Sequence, residues 1–382
     1  MYDVAIVGLG PAGSTLARLL PERLRVVAVD RKHAAGDGGF HKPCGGLLAP
    51  DAQQALASSD LVLPTSVLVD PQIFAVKTVD LAAQQVSSYQ RFYLNMDRHR
   101  FDQWLCSLIP DRVDVRTDAV ASGFRHVGGP DAHWELVVRQ GQTKEVVRAR
   151  HLVGADGARS AVRQVVRPAW AGGRCTAIQQ WFTGQVADPI FLSVFDPTVT
   201  DSYAWGFSKN EYFVFGGAFP STGARAAFDR LVAAMRPYGL RLDDPVRTEA
   251  CQVLRPRRPR DFAAPRAAAF LVGEAAGFVS PTSLEGISYA LRSARALAHV
   301  LSTSTTPVAA ERRYWSATRS IRTDLLGKRL KSPFMYYPPL RRLVMASGLL
   351  TVSGTHRLNP DVPVVSSRPC PSRDEVPSEG RR

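Results

Sequence analysis

The five cysteines of this 382-residue chain (44, 106, 175, 251 and 370) are scattered, with no Cys-x-x-Cys and no regular pairing. That excludes a disulfide scaffold and a zinc site, and it fits a reducing cytoplasm. No apolar run approaches the roughly 20 residues that cross a bilayer. Met1-Tyr2-Asp3 leads straight into an apolar strand, without a charged leader or cleavage site, so a cytoplasmic protein is expected. The net charge is +14, yet no helix-turn-helix, RNP or zinc pattern accompanies the arginines, which removes nucleic acid as a partner. Phosphorylated cofactors, an anionic substrate or an anionic membrane surface remain to account for it. Also missing are a Ser-His-Asp order, a His-Glu-x-x-His helix and a metal-ligand cluster; any chemistry is expected to come from a bound organic cofactor.

The length suits two or three packed domains, and a 45% hydrophobic content supplies their core. No internal repeat is visible. The opening YDVAIVGLGPAGSTLARLL reads as a buried strand, a glycine turn and a helix start. Gly8, Gly10 and Gly13 fit Gly-x-Gly-x-x-Gly: a tight turn, close approach of backbone to a pyrophosphate, and close packing of helix on strand. Pro11 and Ala12 open the helix, whose N-terminus offers free N–H groups and a positive dipole to phosphates. A second strand, RVVAVD, ends at Asp30, 17 residues after Gly13, where an acid accepts hydrogen bonds from a ribose diol; Arg31 follows it.

This motif alone does not choose NAD from FAD. Two later segments do. ARHLVGADGARSAVR is an apolar strand ending at Asp156-Gly157 before a helix, and AAAFLVGEAAGFVSPTSLEGISYALRSARALAHVL is another, ending at Gly273-Glu274. In the latter a helix opens at Gly286-Ile287, and Ile287, Ala290, Leu291, Ala294, Leu297 and Leu301 trace one apolar face. FAD is the longer cofactor and needs a carboxylate for its ribityl chain, a task for Glu274. The helix dipole at Gly286 would favour the negative charge of reduced flavin.

These segments together resemble the three fingerprints of the para-hydroxybenzoate-hydroxylase-like flavoproteins. In that group an arginine begins a further helix beside FAD, as Arg98 does in NMDRHRFDQWL, with Phe101, Leu105 and Leu108 toward the core. Within the group, HKPCGGLLAP and YAWGFSK are similar to the geranylgeranyl reductase family, over roughly residues 1–300. The resemblance implies that Cys44, Gly45 and Gly46 lie beside the flavin, with Cys44 as a proton donor. From its residues alone, Cys44 reads equally as a small buried hydrophobe. His41 and Lys42 before it would meet phosphate or water. The chain departs from the family at three places: Glu274 stands for an aspartate, Leu284 for the first glycine of Pro-x-x-Gly-x-Gly, and Ser208 for a proline.

In the strand Tyr203–Lys209, alternation puts Tyr203, Trp205, Phe207 and Lys209 on one face. By period alone this is sheet core or cavity wall; with the fingerprints around it, an apolar channel over the flavin with Lys209 at an anionic end is expected. The run RPRRPRD (255–261) reads as a solvated connector, a grip for a substrate diphosphate, or a site for the 2′-phosphate of a reductant. The basic, aromatic-rich stretch after residue 303 is a helical layer, or a segment at a membrane interface or over a lipid cavity.

The expected fold class is therefore α/β. A Rossmann-like FAD-binding domain (1–60, 95–165, 263–303) would carry an inserted mixed or antiparallel β-sheet substrate domain (61–94, 166–262). A C-terminal helical segment (304–358) and a disordered tail (359–382) complete the chain. The expected activity is FAD-dependent saturation of C=C bonds in a prenyl or similarly apolar substrate, with NAD(P)H or a ferredoxin-type carrier as electron donor. A flavin monooxygenase is the alternative enzyme, and a flavin-binding sensor or electron-transfer module the alternative of another class. The Trp-x-Trp-x-Ile motif of the halogenases is absent.

Overall fold

The computed structural model describes residues 1–32, 42–170, 172–183, 188–240, 242–347, 353–360, 362 and 364. His41 and most of the 359–382 tail lie outside the described residues. The chain divides into two units: Met1–Leu68, Met96–Cys175 and Cys251–Met335 form the first; Val69–Asn95, Thr176–Ala250 and Tyr336–Arg382 the second.

The first unit is built on β1 (Tyr2–Val7), whose Val and Ile residues are buried on both faces, as a strand inside a parallel sheet requires. Its neighbours are β2 (Val26–Val29) on one side and the second half of Thr143–Gly154 on the other, both parallel. Asp114–Arg116 extends the sheet beyond β2, and Ala269–Leu271 pairs with the end of Thr143–Gly154, again parallel. The first half of that long strand instead turns into an antiparallel meander with His133–Gln140 and Ala119–Val127. Alternate residues of β1 feed two cores. Val4 and Ile6 pack with helix α1 (Pro11–Leu19) and the helix Ile287–Thr303; Ala5 and Val7 pack with Val162, Tyr289 and Ile321. The strand order reverses beside β1, so the carboxyl ends of β1, β2, Thr143–Gly154 and Ala269–Leu271 gather at a topological switch point, where ligands of such sheets bind.

The second unit is built on a mixed sheet running Arg174–Thr183, Tyr212–Phe219, Ala204–Lys209, Ile190–Phe195, Ile73–Asp80, Gln85–Asn95 and Ser353–Arg357, with the start of Arg247–Leu254 beside Arg174–Thr183. Both neighbours of Ala204–Lys209 are antiparallel to it, while Ile190–Phe195 and Ile73–Asp80 run parallel. One face packs on the amphipathic helix Ala224–Met235 through Phe228, Leu231 and Met235. Arg341, on the helix Pro338–Ala346, donates from Nε to Oδ2 of buried Asp80 at 2.7 Å and lies over Phe195, at 4.6 Å from the ring centroid.

Two readings of the C-terminus need correction. Ser353–Arg357 is a strand rather than part of a helical segment, because it satisfies the backbone groups of Gln85–Asn95 at the sheet edge. Val364, within the expected tail 359–382, does not trail off: it is buried with Leu358 in the second unit's core, and its N–H donates to Tyr238 O at 3.0 Å. Helices Pro307–Ala317 and Arg319–Tyr336 carry the expected basic, aromatic helical layer. No helix among the described residues is long and apolar enough to cross a membrane.

Candidate functional site

Gly8 ends β1 with φ +99°, and a Cβ there would come within 2.7 Å of Ala155 O, just before Asp156. At Gly13 a Cβ would lie 1.8 Å from Gly8 O, so helix and turn touch backbone to backbone. Gly10 differs from both: nothing lies within 4 Å of where its Cβ would be. It is the N-cap of α1, no side chain caps that end, and Pro11 at the first helical position has no N–H to lose. An open cradle before uncapped N–H groups suits a pyrophosphate. Asp30 is buried beyond β2; it accepts the Leu9 N–H and, at 2.9 Å, the Lys32 N–H, which fastens the glycine turn to the acid. Arg31 beside it is exposed.

The other two fingerprints reach the same place. Asp156 Oδ2 accepts the Ala161 N–H at 2.7 Å, ahead of the helix Ala161–Val166, while its buried Oδ1 has no protein partner among the described residues. Burial pushes this carboxyl above its ordinary pKa, against hydrogen bonds that favour the anion. A Cβ on Gly157 (φ +74°) would sit 3.8 Å from Glu274 Oε2 and 3.9 Å from Lys42 Nζ. Gly273 (φ +57°) packs against Ala12 and Ala290, with room for no more than a tight Cβ at 3.1 Å and 3.3 Å. Gly286 is the N-cap of the helix Ile287–Thr303, and Ile287 is half-buried at its first turn. Ahead of it Leu284 adopts φ +58°, the left-handed conformation that glycine takes without cost.

The Pro43-Cys44-Gly45-Gly46 segment joins this cluster through partners that spacing did not reveal. Lys42 Nζ donates to Glu274 Oε2 at 2.7 Å, and Leu254 N–H donates to Glu274 Oε1 at 3.0 Å. Burial would lower the Lys42 pKa, but Glu274 outweighs it and holds the ammonium above its ordinary value. Arg98 begins the helix Arg98–Ser107, with Nε 2.9 Å from Asp102 Oδ1 and a further bond to the Cys44 side chain. Lys32 reaches the other Asp102 oxygen at 2.6 Å. Burial opposes both charges, yet mutual attraction raises Arg98 and lowers Asp102. Cys251 Sγ faces Pro43 O at 3.6 Å, and burial pushes its thiol up to about 11. Gly46 (φ +71°) is buried and accepts the Met96 N–H at 2.8 Å; Cys44 and Gly45 are half-buried. Lys42, expected to meet phosphate or water, is instead paired with Glu274, and Lys32, Asp102 and Cys251 are additions that only tertiary placement identifies. Among the described residues no group of His, Cys, Asp or Glu is placed to hold a metal.

Tyr203, Trp205, Phe207 and Lys209 belong to the second unit. Ala204 joins the core beneath Phe228, so the alternate residues point to the opposite face of the sheet. There Tyr203 stacks on Phe195 at 6.2 Å and meets Trp205 edge-on at 5.8 Å, and Phe207 stacks on Phe191 at 6.1 Å. Lys209 is buried, with Nζ 5.9 Å from the Phe207 ring centroid. The Trp205 indole lies over Gly216 of the adjacent strand, where a Cβ would meet its Nε1 at 2.7 Å. That N–H is buried and has no partner among the described residues.

The fold is that of the FAD-dependent oxidoreductases. It matches a geranylgeranyl bacteriochlorophyll reductase-like protein from Thermoplasma acidophilum with TM-score 0.74 and 19% identity, over 96% of this chain and 93% of that one. It also matches the flavin-dependent halogenase CmlS (TM-score 0.66, 18% identity, 86% of this chain and 63% of that one). A third match is PqsL, a probable FAD-dependent monooxygenase from Pseudomonas aeruginosa (TM-score 0.65, 16% identity, 90% and 99%). No family model matches the chain. In sequence it is 46% identical over 348 residues to Protein CbrA of Escherichia coli O157:H7, covering 91% of this chain and 97% of that protein. The chain belongs to the CbrA family.

Proposed function

We propose that this chain binds FAD and is an oxidoreductase that saturates C=C bonds in a prenyl-type or similarly apolar substrate. The observation that carries the cofactor is the convergence of Gly8-Gly10-Gly13, Asp156-Gly157 and Gly273-Glu274 on one end of the first sheet, with open space at Gly10 and an unpartnered Asp156 oxygen. When bound, FAD supplies two-electron chemistry, either hydride donation to an alkene carbon or activation of O2. The uncapped first turn of α1 and Gly10 would receive the pyrophosphate; Asp30 has carboxylate lone pairs left for the ribose. Glu274, oriented by Lys42 and the Leu254 N–H, would take the ribityl hydroxyls, and the Gly286–Ile287 helix start would favour negative charge on the flavin ring. Arg98 holds the Cys44 side chain, which suits Cys44 to deliver the proton that accompanies hydride addition, while Gly45 and Gly46 allow close approach of the backbone.

The stacked face of Tyr203, Trp205 and Phe207 supports an apolar substrate, and the partnerless Trp205 N–H supports one polar group on it. The electron donor is proposed as NAD(P)H or a ferredoxin-type carrier. Leu330 and Phe334 are exposed on a helix that also carries Lys328 and Lys331, which supports peripheral contact with a membrane holding such a substrate.

Anaerobic reduction of the flavin-loaded protein followed by a prenyl diphosphate or a prenylated lipid tests the reading. The expected product gains two hydrogens per double bond without O2. Product that requires O2 and gains oxygen would make this a monooxygenase, and flavin reduction without turnover would leave an electron-transfer module.

A further inference from the structure

A second concave site lies in the first unit, built from the loop after the helix Ala161–Val166 and from the basic run 255–261. The cavity measures about 420 Å³, and its wall includes Arg167, Trp170, Arg257, Arg258, Arg260 and Asp261. The volume falls in the range of small-molecule sites, roughly 300–1,000 Å³. Four arginines and one aspartate line the wall, and that aspartate's carboxylate is engaged by backbone. Asp261 is buried, and its Oδ2 accepts the backbone N–H of Arg257 at 2.7 Å and of Arg258 at 3.0 Å. Arg167, Arg258 and Arg260 form no ion pair among the described residues. Pro256 and Pro259 punctuate the run, and Pro259–Asp261 closes into one turn, so its arginines are displayed on a loop.

The walls are fixed before any ligand arrives. Arg255 N–H donates to Gly173 O at 2.8 Å, and a Cβ on Gly173 would meet Arg255 O at 2.7 Å, so the two loops are stitched backbone to backbone. Trp170 Nε1 donates to Asp261 O at 3.0 Å. Arg163 and Arg174 already lie over the indole, 4.5 Å and 5.6 Å from its centroid, and buried Arg163 is anchored on Ala275 O at 2.9 Å. With its ring so occupied, Trp170 is a rigid wall and not a stacking platform for a base. What the cavity offers is guanidinium groups in excess, the donor geometry that matches phosphate oxygens two at a time.

We propose that this cavity binds the phosphate or diphosphate end of a phosphorylated ligand. The site is assembled from residues distinct from those assigned to FAD, and it stands whether or not the flavin reading holds. A soluble nucleotide and the head of a phosphorylated lipid share this chemistry.

Calorimetric titration of the full chain with inorganic pyrophosphate tests it, with the double variant Arg258→Gln/Arg260→Gln, the single variant Arg167→Gln, and Arg225→Gln as a control in the second unit. Stoichiometric binding is expected, weakened roughly 10- to 100-fold in the double variant and less in Arg167→Gln, because charge-assisted hydrogen bonds are lost. Arg225→Gln should bind as wild type does. All the altered side chains but Arg167 are exposed, and unchanged thermal unfolding verifies that the variants fold. Displacement of pyrophosphate by NADPH but not NADH would assign a nucleotide 2′-phosphate; displacement by a prenyl diphosphate but not the prenol would assign a lipid phosphate. No binding by the wild type, equal binding by the double variant, or equal competition by sulfate overturns the proposal.

Discussion

Adding one methyl group at Gly10 or at Gly13 should separate cofactor binding from folding. At Gly10 the backbone is extended (φ −75°, ψ −170°), which alanine adopts freely, and its Cβ would meet nothing within 4 Å. Gly10→Ala should therefore leave the flavin-free protein as stable as wild type or stabilise it by about 0.4–1 kcal/mol, through a less flexible unfolded chain. Yet the new methyl would occupy the space through which a pyrophosphate approaches the start of α1. Overpacking costs roughly 1–3 kcal/mol, so FAD affinity should fall about 10- to 100-fold. Gly13→Ala is the opposite case. Its Cβ would lie 1.8 Å from Gly8 O, a backbone atom that cannot rotate away, and α1 must separate from β1. A loss of about 3 kcal/mol or more is expected before any ligand is considered. Urea unfolding of the flavin-free proteins gives the first quantity, and FAD titration followed by flavin fluorescence gives the second. Wild-type FAD affinity in Gly10→Ala would refute the placement of the pyrophosphate at Gly10, and with it the reading of the first fingerprint.

Asp102→Asn should destabilise the protein by about 3–5 kcal/mol at pH 7, since it leaves Arg98 and Lys32 buried without their shared anion. Because Arg98 and Lys32 hold the folded-state pKa of Asp102 below 3.8, its stabilisation is complete above that value and lost as pH falls through the depressed one. Unfolding midpoints measured from pH 6 down to pH 2.5 should therefore converge for variant and wild type; a constant gap would contradict the ion-pair account. Leu284→Ile, which branches a side chain held at φ +58°, should cost about 1–2 kcal/mol, whereas Leu284→Gly should be nearly neutral despite the lost side chain. Equal losses in calorimetric unfolding would show that the turn is not strained. Trp205→Ala should lower turnover of an apolar substrate at least about 10-fold, the size of an effect near 1.4 kcal/mol, while the protein stays yellow. Loss of flavin or of folded protein would instead make Trp205 a structural residue.

Legibility in the sequence followed distance along the chain. The glycine turn, Asp30 and the apolar face of Ile287–Thr303 were readable because each depends on spacing within one turn, strand or helix. Asp156 was readable as a strand-end acid, though not its division of labour between a helix start and an unpartnered oxygen. The partner of Glu274 is Lys42, 232 positions away, and that of Asp80 is Arg341, 261 positions away; no local pattern marks either pair. Ser353–Arg357 was misread as helical because the requirement it meets belongs to the open edge of another strand.

The sequence by itself determined that three strand ends of this chain carry a glycine next to an acid or a helix start, and that the residues Tyr203 to Lys209 have an aromatic and a small face. Period and spacing are properties of a short stretch of backbone, so they survive without the rest of the molecule. Only the tertiary structure decided that the three ends meet at one switch point and that Lys42 and Arg98 hold Glu274 and Cys44 there. It also decided that the small face, at Ala204, packs against Phe228 and leaves the aromatic face to stack on Phe191 and Phe195. These outcomes depend on strand order and on which helix covers which side of a sheet, and contacts between residues hundreds of positions apart exist only once the sheets have formed.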